Sequence, residues 1–508
     1  MAFKIDIPLR LDSQTTPGLV SPETEPEIAV ARPPLVLDID GTLIATDLLH
    51  ECAVTFLRRK PWRIAHLVLA GLRGRAHLKQ FLAAETEIDV DGLPLNEGLV
   101  AYARAEAEAG REVVIATAAD ARLAVRLAER LGFVSRVLAS DGVTNLKGSA
   151  KARRLCEEYP QGFAYAGDSS SDLKVWAEAS GVIYAGDHVG LGQRADAFGR
   201  TEARFARKPA GLKIWAKALR VHQWAKNALV FVPLILGGKA FDALAWSEAA
   251  LAFLALGILA SATYLINDLA DLADDRRHWS KCRRPLAAGT LPIASAALFV
   301  PVAIGGAFLI GLSLGPAVAG LLALYAAGTL SYSFGLKRQP ILDVVMLAGL
   351  FTLRLALGIA AVSVEPSAWL LVFSMFLFLS LSFAKRQVEV SRMVRHNQTK
   401  AAGRGYIAAD GPMLSALGAS SGVAAVFVMV MYIINDAFPA IFYTAPGVLW
   451  TFPVILFLWI GRIWLLCQRG ELDDDPVAFA IKDRTSLALG GVLGLAFIGA
   501  NLGGMLLG

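Results

Sequence analysis

Cysteine is scarce in this chain: Cys52, Cys156, Cys282 and Cys467 are the four in 508 residues, with no CxxC pair and no Cys/His spacing among them. That excludes a zinc module and a disulfide framework, and it fits a chain on the reducing side of a membrane. Charge is scarce too. Asp, Glu, Lys and Arg make up 18% of residues, hydrophobic residues make up 55%, and the mean hydropathy is +0.51. This average is too apolar for an ordinary soluble enzyme and too dilute for a pure membrane protein. Division near residue 210 resolves it: the first 210 residues carry 54 of the 93 charged side chains, and the remaining 298 carry 39. A soluble part is therefore joined to a membrane part. The soluble part has 26 basic and 28 acidic residues, a balance that excludes nucleic acid as a partner. The basic start and apolar core of a secretory signal are lacking, so export by that route is not expected. Residues 1–34 hold six prolines and few large apolar side chains, the composition of a disordered tail.

From Leu35 to about Asp196, short apolar runs (LVLDID, VVIATA, FAYAGD) alternate with amphipathic stretches such as Ala119 to Leu131. This is the pattern of an α/β domain, a parallel sheet flanked by helices. The run LVLDIDGTL ends a buried strand with two carboxylates, Asp38 and Asp40, just before a glycine turn. Aspartates at a strand's carboxyl end can present one oxygen to Mg²⁺ and another to phosphorus. Later strands end in Thr117 and in Asp168 with Asp172, and Lys147 lies between them.

These four ordered motifs resemble the haloacid dehalogenase superfamily of phosphatases over residues 35–197. The resemblance implies a Rossmann-like fold with a helical cap at about 44–112. It implies Asp38 as the nucleophile that becomes an aspartyl-phosphate, and Asp40 as the acid that protonates the leaving oxygen and then activates water. Asp38, Asp40 through its backbone carbonyl, Asp168 and Asp172 would bind Mg²⁺, and Thr117 and Lys147 would hold phosphoryl oxygens. Lys151 competes with Lys147, since both precede an expected helix. A domain that kept the fold and lost turnover is the alternative. Within the cap, Phe56 to Arg75 mixes Leu, Trp and Ile with six Lys and Arg residues, the pattern of a membrane-surface helix or of a solvated amphipathic one.

Beyond a basic linker at 198–222, apolar segments fall near 223–243, 247–266, 293–312, 316–334, 341–362, 367–383, 413–434, 447–467 and 486–506. Each is about long enough to cross a roughly 30 Å hydrocarbon core, which predicts an all-α nine-helix transmembrane bundle over 223–508. Loops at 267–292, 335–340, 385–412 and 468–485 contain sixteen Lys and Arg, and the opposite loops contain only Lys239. The sixteen are expected in the cytoplasm, with the N-terminal domain beside them and Gly508 outside, in a bacterial inner membrane.

The second segment runs into Asn267, Asp268, Asp271, Asp274 and Asp275, and spacings of three and four place Asn267, Asp268, Asp271 and Asp275 on one helical face. Carboxylates this dense repel unless a cation neutralises them, and hard oxygen ligands suit Mg²⁺ bridged to phosphates. Arg276, Arg277, Lys281, Arg283 and Arg284 follow at once. Metal and guanidinium together describe a diphosphate site.

This NDxxDxxxD motif, with the expected nine spans, resembles the UbiA prenyltransferase superfamily across residues 211–508. Ordinary members alkylate an aromatic acceptor with a prenyl diphosphate and use a second DxxxD cluster between the sixth and seventh spans. Here that loop offers Glu389 and Asp410 and no such cluster. The stretches RVHQWAKNALVFVPL, YLINDLADLADDRRHWSKCRRPLAAG, YSFGLKRQPILDV and LSFAKRQVEV are similar instead to the decaprenyl-phosphate phosphoribosyltransferase branch. That branch joins two polyanions, phosphoribosyl diphosphate and a polyprenyl phosphate, which calls for many fixed cations. Candidates are Lys226, Arg276, Arg283, Arg284, Lys337, Arg338, Lys385 and Arg386, with Asn267 beside the metal. Arg354, eleven residues beyond Asp343, lies roughly 16 Å deeper along a helix, where a charge is costly and by default functional.

The resemblances together imply a bifunctional enzyme that makes a lipid-linked phosphoribose and dephosphorylates it. One alternative is a prenyltransferase for an aromatic or small acceptor with an unrelated phosphatase. The other is a non-catalytic transporter or scaffold, which leaves the acidic helix without a purpose.

Overall fold

Strand β2 (Leu35–Leu37) is apolar at every position because both faces of it are covered: Leu35 and Leu37 face one hydrophobic cluster and Val36 the other. It sits at the centre of a seven-stranded sheet. With β1 (Phe3–Asp6), β3 (Val113–Asp120), β4 (Arg136–Ser140), β5 (Ala164–Gly167), β6 (Gly181–Tyr184) and β7 (Thr201–Arg204), the order is β1-β4-β3-β2-β5-β6-β7. All neighbours are parallel except β1, which runs antiparallel to β4. The computed structural model describes residues 3–6, 32–140, 146–205, 207–396, 404–472 and 475–507. Most of the expected tail lies outside the described residues, but Phe3–Asp6 form the edge strand. The sheet also continues past residue 197, since β7 pairs with β6 inside the stretch expected to be linker.

The chain divides into two units, Met1–Leu219 with Asp268–Phe299, and Arg220–Asn267 with Val300–Gly508. In the first, an insert leaves the sheet after β2 and returns where Ile44 bridges Leu95 in antiparallel sense. Helices Leu48–Arg59, Ile64–Leu72 and Arg75–Glu85 make this cap, and Asp47 caps the first by accepting the Leu49 and His50 N–H groups. Helix Glu97–Glu108, also within the insert expected at 44–112, buries Leu99, Val100 and Ala103 in the cluster shared by the cap and the sheet. Helices Ala121–Leu131, Ser149–Glu158, Leu173–Trp176 and Val189–Asp196 cover the sheet. The linker ends in the short helix Leu212–Ala218.

The second unit is helical. Seven helices are long and apolar enough to cross a membrane among the described residues: Ala243–Ala270, Ile293–Leu314, Pro316–Phe334, Leu342–Ala361, Ala368–Arg395, Ala408–Ala437 and Pro446–Arg469. The chain is a multi-pass membrane protein. The last expected segment forms helix Arg484–Leu507. The first expected segment differs: 223–243 is not one α-helix but a 3₁₀ stretch, Val221–Phe231, followed by the short helix Val232–Leu236. Pro233 at the joint and Gly237–Gly238 at the end explain why it breaks there.

Candidate functional site

Because Leu37 pairs with Ala166, parallel register sets Asp38 opposite Gly167, one residue before Asp168, at the carboxyl ends of β2 and β5. This end of a doubly wound sheet is where ligands bind. Asp172, one turn further on, joins them, and ligand oxygens of Asp38, Asp168 and Asp172 lie within 4.8 Å of one another. Asp172 is held by four donors, the Asp168 and Ser169 amides, the Ser169 hydroxyl and the Tyr165 hydroxyl. Burial pushes the Asp168 carboxyl up to about 8, and Asp172 and Asp38 push it the same way. Burial also raises Asp38, against the pull of Lys151. Three carboxylates crowded this closely are the donor set of a hard divalent cation, and Mg²⁺ fits them. Gly41 makes room: with φ +74, a side chain there would place its first carbon 2.1 Å from Asp168 Oδ2.

Asp40 points away from that trio. Its Oδ1 accepts the Leu48 N–H at 2.8 Å, and burial followed by the charge of Asp47 pushes its carboxyl up to about 7. A carboxyl in that range can give and take a proton near neutrality. The lysine assignment needs correction. Lys151 Nζ lies 3.0 Å from Asp38 Oδ2 and donates to the Tyr165 hydroxyl at 2.8 Å, whereas Lys147 is exposed on the cavity wall. Lys147 precedes the helix Ser149–Glu158 and Lys151 stands in its first turn, facing the sheet. Thr117 is also displaced from its expected role. It is fully buried, its Oγ1 accepts the Ala119 N–H at 3.1 Å, and Ala118 lines the cavity in its place. Arg207, one of the cations of the basic linker, donates to the Gly41 carbonyl, and its charge favours the ionised form of Asp168.

The acidic segment after the second apolar run belongs to the same unit. Helix Ala243–Ala270 stops short of Asp271, which starts a new helix, Leu272–Arg277, so the expected single face is broken there. Arg284 Nη1 bridges Asp268 at 3.0 Å and Asp275 at 2.5 Å. Burial raises Asp275, and Arg284 opposes it. Among the described residues Asp268, Asp271 and Asp275 do not gather to the spacing of the Asp38 trio. A guanidinium stands between two of them.

Arg276 does not join this cluster. It makes a bidentate pair with Glu51 of the cap at 2.6 and 2.9 Å, both side chains being at most 6% exposed. Glu51 in turn accepts the Thr46 hydroxyl, and the Thr46 carbonyl accepts the Gly41 N–H. A ligand expected to touch substrate is thus spent on the turn that carries Asp40. Arg58 with Asp274 and Arg277 with Asp89 add two exposed pairs. Arg283 is exposed, and its carbonyl accepts from Lys217.

In the second unit Lys226 pairs with Asp475, and Lys385 Nζ stands 3.9 Å from the same carboxylate. Burial works against ionisation of Asp475, but Lys385 and Lys226 hold it below the ordinary carboxylate range. Asp475 was not singled out from sequence. Its signal was there in the run LDDDP, three aspartates beside a proline. Arg386 is fully buried between Asp343 at 2.7 Å, Glu389 at 2.5 Å and the Tyr332 hydroxyl at 3.0 Å. Arg354 donates to Asn227 Oδ1, the Leu350 carbonyl and the Tyr325 hydroxyl. Both arginines pin helices together, so neither presents the open guanidinium expected of a substrate ligand. Arg338 is exposed, Lys337 is half-buried, and Asn267 is half-buried near the end of its helix.

A family model described as the UbiA prenyltransferase family matches residues 229–490, and one described as haloacid dehalogenase-like hydrolase matches residues 35–176. The chain is 38% identical over 466 residues to an uncharacterised protein, y4nM, of Sinorhizobium fredii, across 92% of this chain and 90% of that one. It is 32% identical over 291 residues to nodulation protein NoeC of Azorhizobium caulinodans, across 56% and 92%. Over 180 residues it is 38% identical to a decaprenyl-phosphate phosphoribosyltransferase of Corynebacterium glutamicum, across 34% of this chain and 54% of that protein.

Proposed function

The chain belongs to the UbiA prenyltransferase family and carries a haloacid dehalogenase-like domain at its N-terminus, and we propose that it is a bifunctional membrane enzyme. Its membrane part transfers 5-phosphoribose from phosphoribosyl diphosphate to a polyprenyl phosphate. Its N-terminal domain then removes the 5-phosphate and leaves polyprenyl-phosphoryl-ribose. The observation that carries this reading is the gathering of Lys151, Asp38 and Asp168 into one site on a chain of which 180 residues are 38% identical to a decaprenyl-phosphate phosphoribosyltransferase.

In the dephosphorylation, an Asp38 oxygen attacks phosphorus while the bond from phosphorus to the sugar 5-oxygen breaks. Asp40 gives that oxygen its proton. Lys151 holds charge on the Asp38 side, and Asp40 then takes a proton from the water that splits the aspartyl-phosphate into Asp38 and inorganic phosphate. In the transfer, the bond from the anomeric carbon to diphosphate breaks and a bond to the polyprenyl phosphate oxygen forms. That oxygen is already anionic and needs no base. Lys226, Lys337, Arg338, Lys385, Arg283 and Arg284 are the cations assigned to the two polyanions, with Asn267 beside them. Mg²⁺ held by Asp38, Asp40 through its carbonyl, Asp168 and Asp172, and by Asp268, Asp271 and Asp275, would neutralise phosphoryl and departing diphosphate oxygens.

The reading includes an N-terminal domain from 35 through β7, a membrane domain at 223–508, nine crossings, a bacterial inner membrane and a cytoplasmic N-terminal domain. Val221–Leu236 supports the first crossing: its 3₁₀ rise of about 2.0 Å per residue brings it near a bilayer's thickness without twenty residues. The test is Asp38→Asn with radiolabelled phosphoribosyl diphosphate and a polyprenyl phosphate. Phosphorylated lipid should accumulate, and an unchanged yield of the dephosphorylated lipid would remove the phosphatase assignment. The family's name supports a second reading, transfer of a prenyl group to an aromatic acceptor, which incubation with a prenyl diphosphate in place of the sugar donor separates.

A further inference from the structure

The cavity above Asp38 and Asp168 has a volume of about 1370 Å³, and its lining is charged or polar in most parts and apolar in one. Around the carboxylates stand Lys79, Lys147, Lys151 and Arg207, the groups that face a phosphomonoester. Another part of the lining comes from much later in the chain. Ile214, Ala288, Gly289, Pro292, Ile293 and Ala294 line it and bring no charge. Ile293 and Ala294 are the first residues of the membrane-spanning helix Ile293–Leu314. The segment is seated tightly: Gly289 has φ +68, and a side chain there would start 2.6 Å from the Ala45 carbonyl oxygen, in the turn that follows Asp40. The near end of a helix that enters the bilayer is therefore a wall of the phosphatase cavity.

A second, separate feature of the same unit points the same way. The cap helix Ile64–Leu72 and the turn before it expose Trp62, Ile64, Val68, Leu69 and Leu72, from 56% to 79% of each side chain. Leu212, at the start of the helix Leu212–Ala218 that also supplies Ile214, is 90% exposed. Apolar side chains this exposed, with Arg63 and Arg73 at the two ends of the cap helix and Lys213 beside Leu212, are what an element lying in a bilayer surface presents.

We infer that the phosphatase cavity takes phosphomonoesters anchored in the bilayer, and that the 288–294 wall and the exposed cap helix select them over soluble sugar phosphates. This rests on the proposed phosphatase activity and narrows its substrate class: the phosphate goes to the carboxylates, and the lipid leaves along the span's first turn into the membrane that holds it. A soluble phosphate ester would bury nothing against that wall.

The test uses the purified full chain with Mg²⁺. Phosphate release is measured from polyprenyl-phosphoryl-5-phosphoribose and from dioleoyl phosphatidic acid, each in vesicles, and from ribose 5-phosphate and p-nitrophenyl phosphate in solution. A vesicle-borne ester should exceed ribose 5-phosphate in kcat/KM by about 100-fold. Ala294→Asp in the wall and Leu72→Asp on the cap, both exposed positions, should each lower that ratio by about tenfold, chiefly through KM. Cleavage of phosphatidic acid without cleavage of the lipid-linked phosphoribose, with the same dependence on Ala294, would uphold this inference and sink the phosphoribosyl reading. Equal use of soluble and vesicle-borne esters, an unchanged ratio in both variants, or release from neither vesicle substrate would overturn it.

Discussion

In the proposed hydrolysis Asp38 has to be ionised to attack phosphorus, yet little of it meets solvent, and desolvation pushes its carboxyl up. Lys151 at 3.0 Å is the group that opposes this. Replacing it by Met should cut phosphate release from p-nitrophenyl phosphate by about 100-fold or more, because the charge is lost beside the nucleophile in a site shielded from water. Lys147→Met, at an exposed position, should cost about tenfold or less. A reversed order would return the phosphate-binding role to Lys147. In the acidic segment, Asp268→Asn should lower sugar transfer by about 100-fold or more and leave p-nitrophenyl phosphate turnover within the range of the unaltered chain. An equal loss of both activities would show that the segment serves the fold rather than the transfer.

The helices Leu48–Arg59 and Leu272–Arg277 are joined by the Glu51–Arg276 pair, which is almost wholly removed from water. Breaking one side of such a pair leaves a buried charge alone, at a cost of about 3–5 kcal/mol, whereas replacing both sides by apolar groups often costs little. Thermal unfolding should therefore fall sharply for Glu51→Leu and for Arg276→Met and recover most of the way in the double variant. If the single variants unfold at the normal temperature, the pair is not what fixes this segment of the unit. The cap's first helix offers a smaller check. Asp47 accepts two N–H groups at the start of Leu48–Arg59, so Asp47→Ala should cost about 1 kcal/mol.

Two chemistries on one chain make one further expectation. Both proposed reactions assign Mg²⁺ to aspartates, so chelation should stop phosphate release and sugar transfer alike, and added Mg²⁺ should restore both. Loss of only one activity would limit the metal to that half. Alkaline washing should leave the protein in the membrane pellet, since seven apolar helices hold it there and surface charge does not.

Much of this was readable before any coordinates. Apolar runs fixed by the need to hide backbone from lipid marked the spans, and strands ending in aspartate marked Asp38, Asp168 and Asp172, because both are local patterns that one stretch of chain expresses alone. What could not be read depends on which distant residues meet. Lys147 and Lys151 are four residues apart, and only the fold shows that the one in the helix's first turn reaches Asp38. Arg276, Arg354 and Arg386 look like open anion ligands until Glu51, Asn227 and Asp343 are found against them. The residue run at 288–294 is unremarkable as a string, and only folding makes it a wall of a cavity whose nucleophile lies some 250 residues earlier. Composition and period decide what each segment can become, because they act through neighbours in the chain. Partnership is decided by packing, because burial assigns every charge to whichever group the fold brings within reach.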